Sequence, residues 1–385
     1  MKSNYKRIGD HIQLVDERNN GLNVKQLLGL SISKQFIPSV ANIIGTDMEN
    51  YKIIRKNQFA CSTMQVRRDK KMPVALLQDV EEAIISQAYP IFQVKDEKEL
   101  LPEYLMMWFT RSEFDREACF NAVGGVRGSL EWEDFCEMQL PIPSITKQRE
   151  IVKEYNVIQN RIALNQQLIQ KLEETAQTIY REWFVEGSDE NWREKSIGDL
   201  CSLVTDGKHG DCQNEIASGY YFVSVKDLIN GDIFYDDVRQ ITKKDFEETH
   251  KRTDLKPGDI LLTSSGTIGR MIIVKDDPKT YRTTLQKSVA VLKPILDLAP
   301  SYYLFSLLKS EMKNIIELAG GSTIANLLLG DLKRYKIKYP GQHLIIKYEK
   351  LISPTYKNIE LKNKENQKLS ELKELLLSKL ATIEG

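Results

Sequence analysis

The sequence predicts an α+β protein built twice over, each copy closed by a long helix. Landmarks of the first half recur in the same order about 197 residues later. Within each half, short apolar runs among Gly, Pro, Asn and Asp give way to a long stretch of helix formers. A chain of 385 residues also exceeds what one hydrophobic core organises. At 41% hydrophobic and 28% charged it can fill two cores and keep a polar surface. No stretch approaches the ~18 uncharged apolar residues of a membrane span. The start, Met1 to Arg7, leads into no apolar stretch of a signal peptide.

The repeat is read from particular residues. Leu101-Pro102-Glu103-Tyr104-Leu105 returns as Ala299-Pro300-Ser301-Tyr302-Tyr303, and Val123-Gly124-Gly125 as Ala319-Gly320-Gly321. Asp134-Phe135 returns as Asp331-Leu332, and Pro143 as Pro340. Near the start of each copy, Arg7-Ile8-Gly9-Asp10 answers Ser196-Ile197-Gly198-Asp199, and Ile85-Ser86-Gln87 aligns with Thr284-Leu285-Gln286. The expected domains are therefore 1–145, a long helix over 146–187, a second domain over 188–342, and a second long helix over 343–385.

Taken in order, Gln58–Cys61, Ala83–Ser86, Asp259–Leu262 and Ser288–Leu292 read as short strands, and Tyr104–Arg116 and Tyr302–Leu318 as helices. From Thr146 to Phe184 there is no Gly and no Pro. Steps of four and three from Ile151 give a seam: Ile151, Tyr155, Ile158, Ile162, Asn165, Ile169, Leu172, Ala176, Ile179 and Trp183. Asn165, its polar member, costs stability and sets register. The second helix carries Tyr348, Ile352, Ile359, Leu369, Leu372, Leu376 and Leu380, and its continuous part is expected to begin after Pro354. Each helix would be about 60 Å long. Its stripe packs either on its own domain or on the other helix as a coiled coil; two seams of similar length in one chain favour the second.

Lys+Arg and Asp+Glu balance at 54 each, which excludes a uniformly basic protein but not a local basic groove. Arg55, Lys56, Arg67, Arg68, Lys70 and Lys71 cluster against Asp69 alone. In the second copy Arg270, Lys275, Lys279, Arg282, Lys287 and Lys293 stand against Asp276 and Asp277. Such patches follow a phosphate backbone, while Arg pairs bidentately with guanine and Gln or Asn with adenine. Gln65, Arg67, Arg68 and Arg270 are thus candidate base readers. Lys34, Lys70, Lys208, His209, Ser265, Thr267 and Gln286 complete the expected DNA-contact set. The plainer alternative is a solvated loop of charges.

Catalytic chemistry is mostly missing from the sequence. Five cysteines (Cys61, Cys119, Cys136, Cys201, Cys212) and four histidines (His11, His209, His250, His343) form no metal-ligand spacing. The thiols read as small buried apolar residues of a protein in a reducing cytosol. There is no [DNS]-P-P-[FYW] motif, no Gly-rich cofactor turn after a strand, and no phosphate-binding G-x-x-x-x-G-K-[ST] loop. The glycines of Val123–Gly128 and Gly320-Gly321 read as turns into the next strand. Asp259 with Asp277-Pro278-Lys279 loosely matches a Mg-dependent nuclease pattern, although only in one copy and in ordinary turn sequences. Ser264–Arg270 is either a loop approaching a phosphate or a hairpin with glycines at positive φ; the two readings are compatible.

With these residues in view, the chain resembles the specificity subunit of type I restriction-modification enzymes. Leu140-Pro141-Ile142-Pro143-Ser144-Ile145-Thr146-Lys147-Gln148-Arg149-Glu150-Ile151-Val152 is similar to that family's junction between recognition domain and helix. Lys256–Leu262 with Gly266–Arg270, and Asp206-Gly207-Lys208-His209, are similar to its recognition-domain patterns. The sequence departs at Lys338-Tyr339-Pro340-Gly341-Gln342-His343, which lacks the double proline, and in copy one, where Met64-Gln65-Val66-Arg67-Arg68 stands in place of the Gly-Thr-Ile-Gly loop. The resemblance implies two target recognition domains joined by an antiparallel coiled coil about a pseudo-twofold axis. It implies a cytoplasmic prokaryotic adaptor with no catalytic centre and no cofactor of its own, reading the two halves of a double-stranded DNA target. Two copies of a methyltransferase subunit would dock on it, with restriction subunits able to join, so S-adenosylmethionine, ATP and Mg would belong to partners. The competing readings are a stand-alone nuclease using Asp259, Asp277 and Lys279, and a coiled-coil scaffold that does not touch DNA. The target itself is not legible, because shape readout on irregular loops leaves no simple code.

Overall fold

Each half of the chain is organised around a small antiparallel sheet of four strands. The computed structural model describes residues 5–39, 47–125, 128–229, 231–320 and 325–383. In the first half β1 (Ile12–Val15), β2 (Phe59–Cys61), β3 (Val74–Leu76) and β4 (Ile91–Val94) lie in the order β1-β4-β2-β3. In the second, β5 (Cys201–Asp206), β6 (Ile260–Thr263), β7 (Met271–Ile273) and β8 (Val289–Pro294) lie in the order β5-β8-β6-β7, the same connectivity. The repeat extends to the ends of each domain: Tyr5–Arg7 pairs antiparallel with Gln139–Pro141, and Arg193–Ser196 with Lys336–Tyr339. Ile8 and Ile197, which follow these end strands, are both fully buried. The copies differ at the flank. Lys52–Arg55 pairs antiparallel with Glu82–Ile85, whereas Tyr221–Val223 runs parallel to Thr283–Leu285.

The inner strands β2 and β6 are short, fully buried runs because both faces are covered. Phe59 and Cys61 enter one core and Ala60 another. Likewise Ile260 and Leu262 face one cluster while Leu261 faces a second.

The longer helices are α1 (Pro102–Thr110), α2 (Ser112–Asn121), α3 (Ile145–Arg181), α4 (Lys243–Thr253), α5 (Ser301–Glu317) and α6 (Gln342–Lys379). The single helix expected over Tyr104–Arg116 is two. Arg111 breaks it with an extended backbone, and its buried guanidinium lies 4.1 Å from the centre of the Trp108 ring.

α3 and α6, of 37 and 38 residues, run through two compact units, 1–165 with 364–385 and 166–363. In the first unit Ile151 shares a core with Leu377 and Leu380, while Arg161 pairs with Glu365 at 2.6 Å, so the helices are antiparallel. In the second, the Tyr348 hydroxyl donates to the Ala176 carbonyl at 3.4 Å. Both expected packings occur together. Ile151, Leu377 and Leu380 close the first core; Ala176, Tyr180 and Phe184 with Ile345, Tyr348 and Ile352 close the second. None of the nine seam positions in α3 is exposed, nor is Trp183 just beyond it. Asn165 is buried on that seam, and its amide donates to Asn366 Oδ1 at 2.9 Å.

Three expectations are corrected. α6 does not wait for Pro354 but runs through it: the proline lies on the exposed face, where water can take the freed carbonyl, between buried Ile352 and Tyr356. Leu372 is 52% exposed, and the stripe instead descends from Leu369 through Leu376 and Leu377 to Leu380. Of the five thiols, Cys61, Cys201 and Cys212 are buried but Cys119 and Cys136 only partly. Burial pushes the Cys201 thiol up to about 12.

Candidate nucleic-acid interface

The antiparallel pairing gathers particular loops at one end of each sheet. In the first unit β1 ends at Val15 beside Ile91, which opens β4, while Cys61 ends β2 beside Val74, which opens β3. Loops 62–73 and 86–90 therefore leave from the same end. Gln65, Arg67, Arg68 and Lys70 all ride on loop 62–73, around the helical turn Val66–Asp69. Arg67 is exposed and donates to the Gly124 carbonyl at 3.0 Å. Arg68 is exposed and forks onto Asp69 at 2.6 and 3.0 Å, which holds the Asp69 carboxyl below its ordinary range. Lys70 is exposed as well. Residues 126 and 127 of the expected glycine turn lie outside the described residues; Gly128 packs under the Arg67 stem.

In the second unit Asp206 ends β5 beside Ala290, and Thr263 ends β6 beside Val289. Loops 207–210, 264–270 and 286–288 thus share one end, and six expected residues meet there. Lys208 bridges to Gln286 along the backbone. This approach requires Gly207: a Cβ there would lie 1.9 Å from the Leu285 carbonyl oxygen. The Lys208 ammonium sits 3.0 Å from Asp245, which raises its pKa. Asp245 also accepts the Gln213 amide at 2.6 Å, and these bonds hold its carboxyl below the usual range. The exposed His209 ring places Nε2 2.9 Å from Asp206, whose other oxygen takes Arg252. Ser265 bridges to Asn326; Gly321 of the matching expected turn lies outside the described residues. Thr267 is exposed at the tip, between Gly266 and Gly269, both at positive φ as the hairpin reading requires. Arg270 is exposed, and its guanidinium makes long contacts of 3.4 and 3.5 Å to the Val225 and Leu228 carbonyls.

Elsewhere the structure redistributes the expected charges. Lys34 is not at the surface. Its ammonium is buried 2.8 Å from Asp115 and over the Phe114 ring, so its charge is spent inside the domain. Both basic clusters divide along their strands. Arg55 and Lys56 precede β2, at its far end, and pair with Glu17, Glu82 and Glu81. Lys275 pairs with Asp232, and Lys293 is held 2.6 Å from Asp259. Asp259 also accepts the Lys256 amide at 2.8 Å, and Asp277 accepts the Lys279 amide at 2.8 Å within its own turn. Among the described residues no group of three or more His, Cys, Asp or Glu could hold a metal ion. Lys71 and Lys287, counted in the basic clusters but left out of the expected contact set, are exposed in the same loops. Sequence reasoning passed over Asp115, Asp245 and Arg252, whose partners are remote in sequence.

These paired loop ends, on a fold repeated along an antiparallel helix pair, define a class. The chain belongs to the family of the type I restriction modification DNA specificity domain, whose model matches it twice, over residues 40–174 and 189–371. Among its relatives, the type I restriction enzyme MjaIX specificity subunit of Methanocaldococcus jannaschii is 24% identical over 309 residues, 73% of this chain and 68% of that one. The EcoBI specificity subunit of Escherichia coli is 26% identical over 165 residues, 41% of this chain and 34% of that one. The crystal structure of the type I restriction-modification S subunit from M. genitalium superposes with a TM-score of 0.54 at 15% identity, covering 99% of this chain and 96% of that one; this likeness is one of fold. The chain is thus a specificity subunit with two target recognition domains. Among the described residues no helix is long and apolar enough to cross a membrane.

Proposed function

We propose that each recognition domain reads one half of a bipartite double-stranded DNA target through the loops gathered at its sheet end, and that the helix pair sets the gap between the halves. The supporting observation is the convergence itself: Gln65, Arg67, Arg68 and Lys70 in the first unit, and Lys208, His209, Ser265, Thr267, Arg270 and Gln286 in the second. Exposed cations there can neutralise phosphates, while Arg and Gln can meet base edges. In this reading the chain is a non-catalytic, cytoplasmic prokaryotic adaptor that needs no cofactor. Two copies of a methyltransferase subunit dock on it, and restriction subunits can join. S-adenosylmethionine, ATP and Mg then act in those partners. Lys34 is left out of the contact set, since its charge is already paired.

The test is co-expression with the methyltransferase subunit, followed by methylation-sensitive sequencing of host DNA. The expected result is one bipartite motif with a fixed gap. Arg67→Ala should affect only one half-site and Arg270→Ala only the other. A base-reading arginine will relax discrimination at one position; a phosphate contact will weaken all sequences alike and lower the salt slope by about 1. Absence of both a motif and a stable complex overturns the reading.

A further inference from the structure

We infer that Asp115 is the positioning residue of the first domain's DNA-reading loop: its buried carboxylate ties the loop's far end to Lys34 and to helix α2, and so determines which base edges the loop can meet. This rests on the function proposed above.

Loop 62–73 is held in a conformation it would not keep alone. Gln65 and Lys70, on either side of the turn Val66–Asp69, both have positive φ, 64° and 52°. Neither is glycine, and such residues persist only where their surroundings over-determine them. The surroundings here are α2 and the segment after it. The Leu130 amide donates to the Thr63 carbonyl at 2.9 Å, and the Arg67 amide to the Gly128 carbonyl at 3.4 Å. At the far end the Met72 amide, fully buried, donates to Asp115 Oδ1 at 3.0 Å.

Of these ties the one at Asp115 is both buried and charged, whereas the Arg67 guanidinium that reaches the Gly124 carbonyl is exposed. The same Oδ1 lies 2.8 Å from the Lys34 ammonium, which also donates to the Phe109 carbonyl. Lys34 sits at positive φ in the turn joining Leu28–Leu30 to Phe36–Pro38. One carboxylate therefore fastens three segments that are distant in sequence. Burial pulls the Lys34 ammonium below its ordinary pKa and the Asp115 charge opposes that shift, so the pair stands or falls together. A buried ion pair adds little stability over apolar side chains of similar size; what it supplies here is geometry.

The test uses the complete subunit in complex with the methyltransferase, comparing wild type, Lys34→Met/Asp115→Leu and Lys34→Met/Asp115→Asn. The first variant removes the charges and the acceptor for Met72. The second removes the charges but keeps an acceptor oxygen. For Lys34→Met/Asp115→Leu, methylation at native first half-sites relative to single mismatches should fall about tenfold or more. The second half-site and the gap should stay unchanged. Lys34→Met/Asp115→Asn should restore discrimination to within about threefold of wild type. Should the leucine variant not assemble, Lys34→Met/Asp115→Ser, which also leaves no buried charge and whose shorter side chain cannot span the same gap, serves in its place. A folded variant that reads the first half-site as strictly as wild type overturns the inference. So does a loss falling equally on both half-sites, or a failure of the asparagine variant to rescue. A wild-type complex with no bipartite motif would instead sink the function proposed above.

Discussion

At the scale of single residues, the site divides into side chains that face outward and side chains that hold them. Sequence alone separates these poorly. Lys34 reads as a cation in a polar turn, and only the fold brings Asp115, 2.8 Å away, against it. Arg67, Thr267 and Arg270 were legible only as exposed loop residues, because connections rich in Gly and charge run over the surface. Gly207 was quoted within a motif, but the force on it comes from Leu285, a strand away. A side chain at 207 must push loops 207–210 and 286–288 apart, since 1.9 Å to a carbonyl oxygen allows no accommodation. Gly207→Ala is therefore expected to cost about 1–3 kcal/mol by overpacking and to degrade only the half-site read by the second domain. A methylation motif that keeps both halves sharp would contradict this.

At the scale of elements, the long helices were the most legible part of the chain, because a heptad seam survives whatever it packs against. The seam read along α3 has no exposed member, and Asn165 on it is buried. α6 was read less well. Its stripe shifts at Leu377, and Pro354 is tolerated because tertiary contacts on either side outweigh one lost hydrogen bond. The Asn165–Asn366 bond makes a direct prediction. Asn165→Leu alone leaves the Asn366 amide facing an apolar neighbour and should cost about 1–3 kcal/mol. Asn165→Leu/Asn366→Leu together should recover that loss and melt above the wild type, with less definite helix register. Thermal unfolding of the three proteins checks both directions; a double variant no more stable than the single one would show that the pair is not a coupled seam contact.

At the scale of the whole molecule, the duplication was readable from a handful of residues because each marks a shared turn or helix start: Pro102 with Pro300, Ile8 with Ile197. The loops between them were not, since their shapes are set by contacts across each domain rather than by neighbours in sequence. If the helix pair spaces two readers, seven residues inserted after Ile162, with seven more opposite them in α6, lengthen the pair by about 10 Å. The gap in the methylated motif should grow by about three base pairs, at roughly 34 Å per helical turn of DNA, with both half-sites intact. A changed half-site with an unchanged gap would refute the ruler.

The division of the helices also orders events as the chain is made. The second unit, 166–363, is one continuous stretch, whereas the first is completed by residues 364–385. Leu377 and Leu380 sit in the first core, and the Tyr5 hydroxyl donates to the Ala381 carbonyl at 2.9 Å. Domains ordinarily mature in the order of synthesis. Here the half translated first stays unfinished until the last few turns of α6 leave the ribosome, and the half translated second is free to close before it.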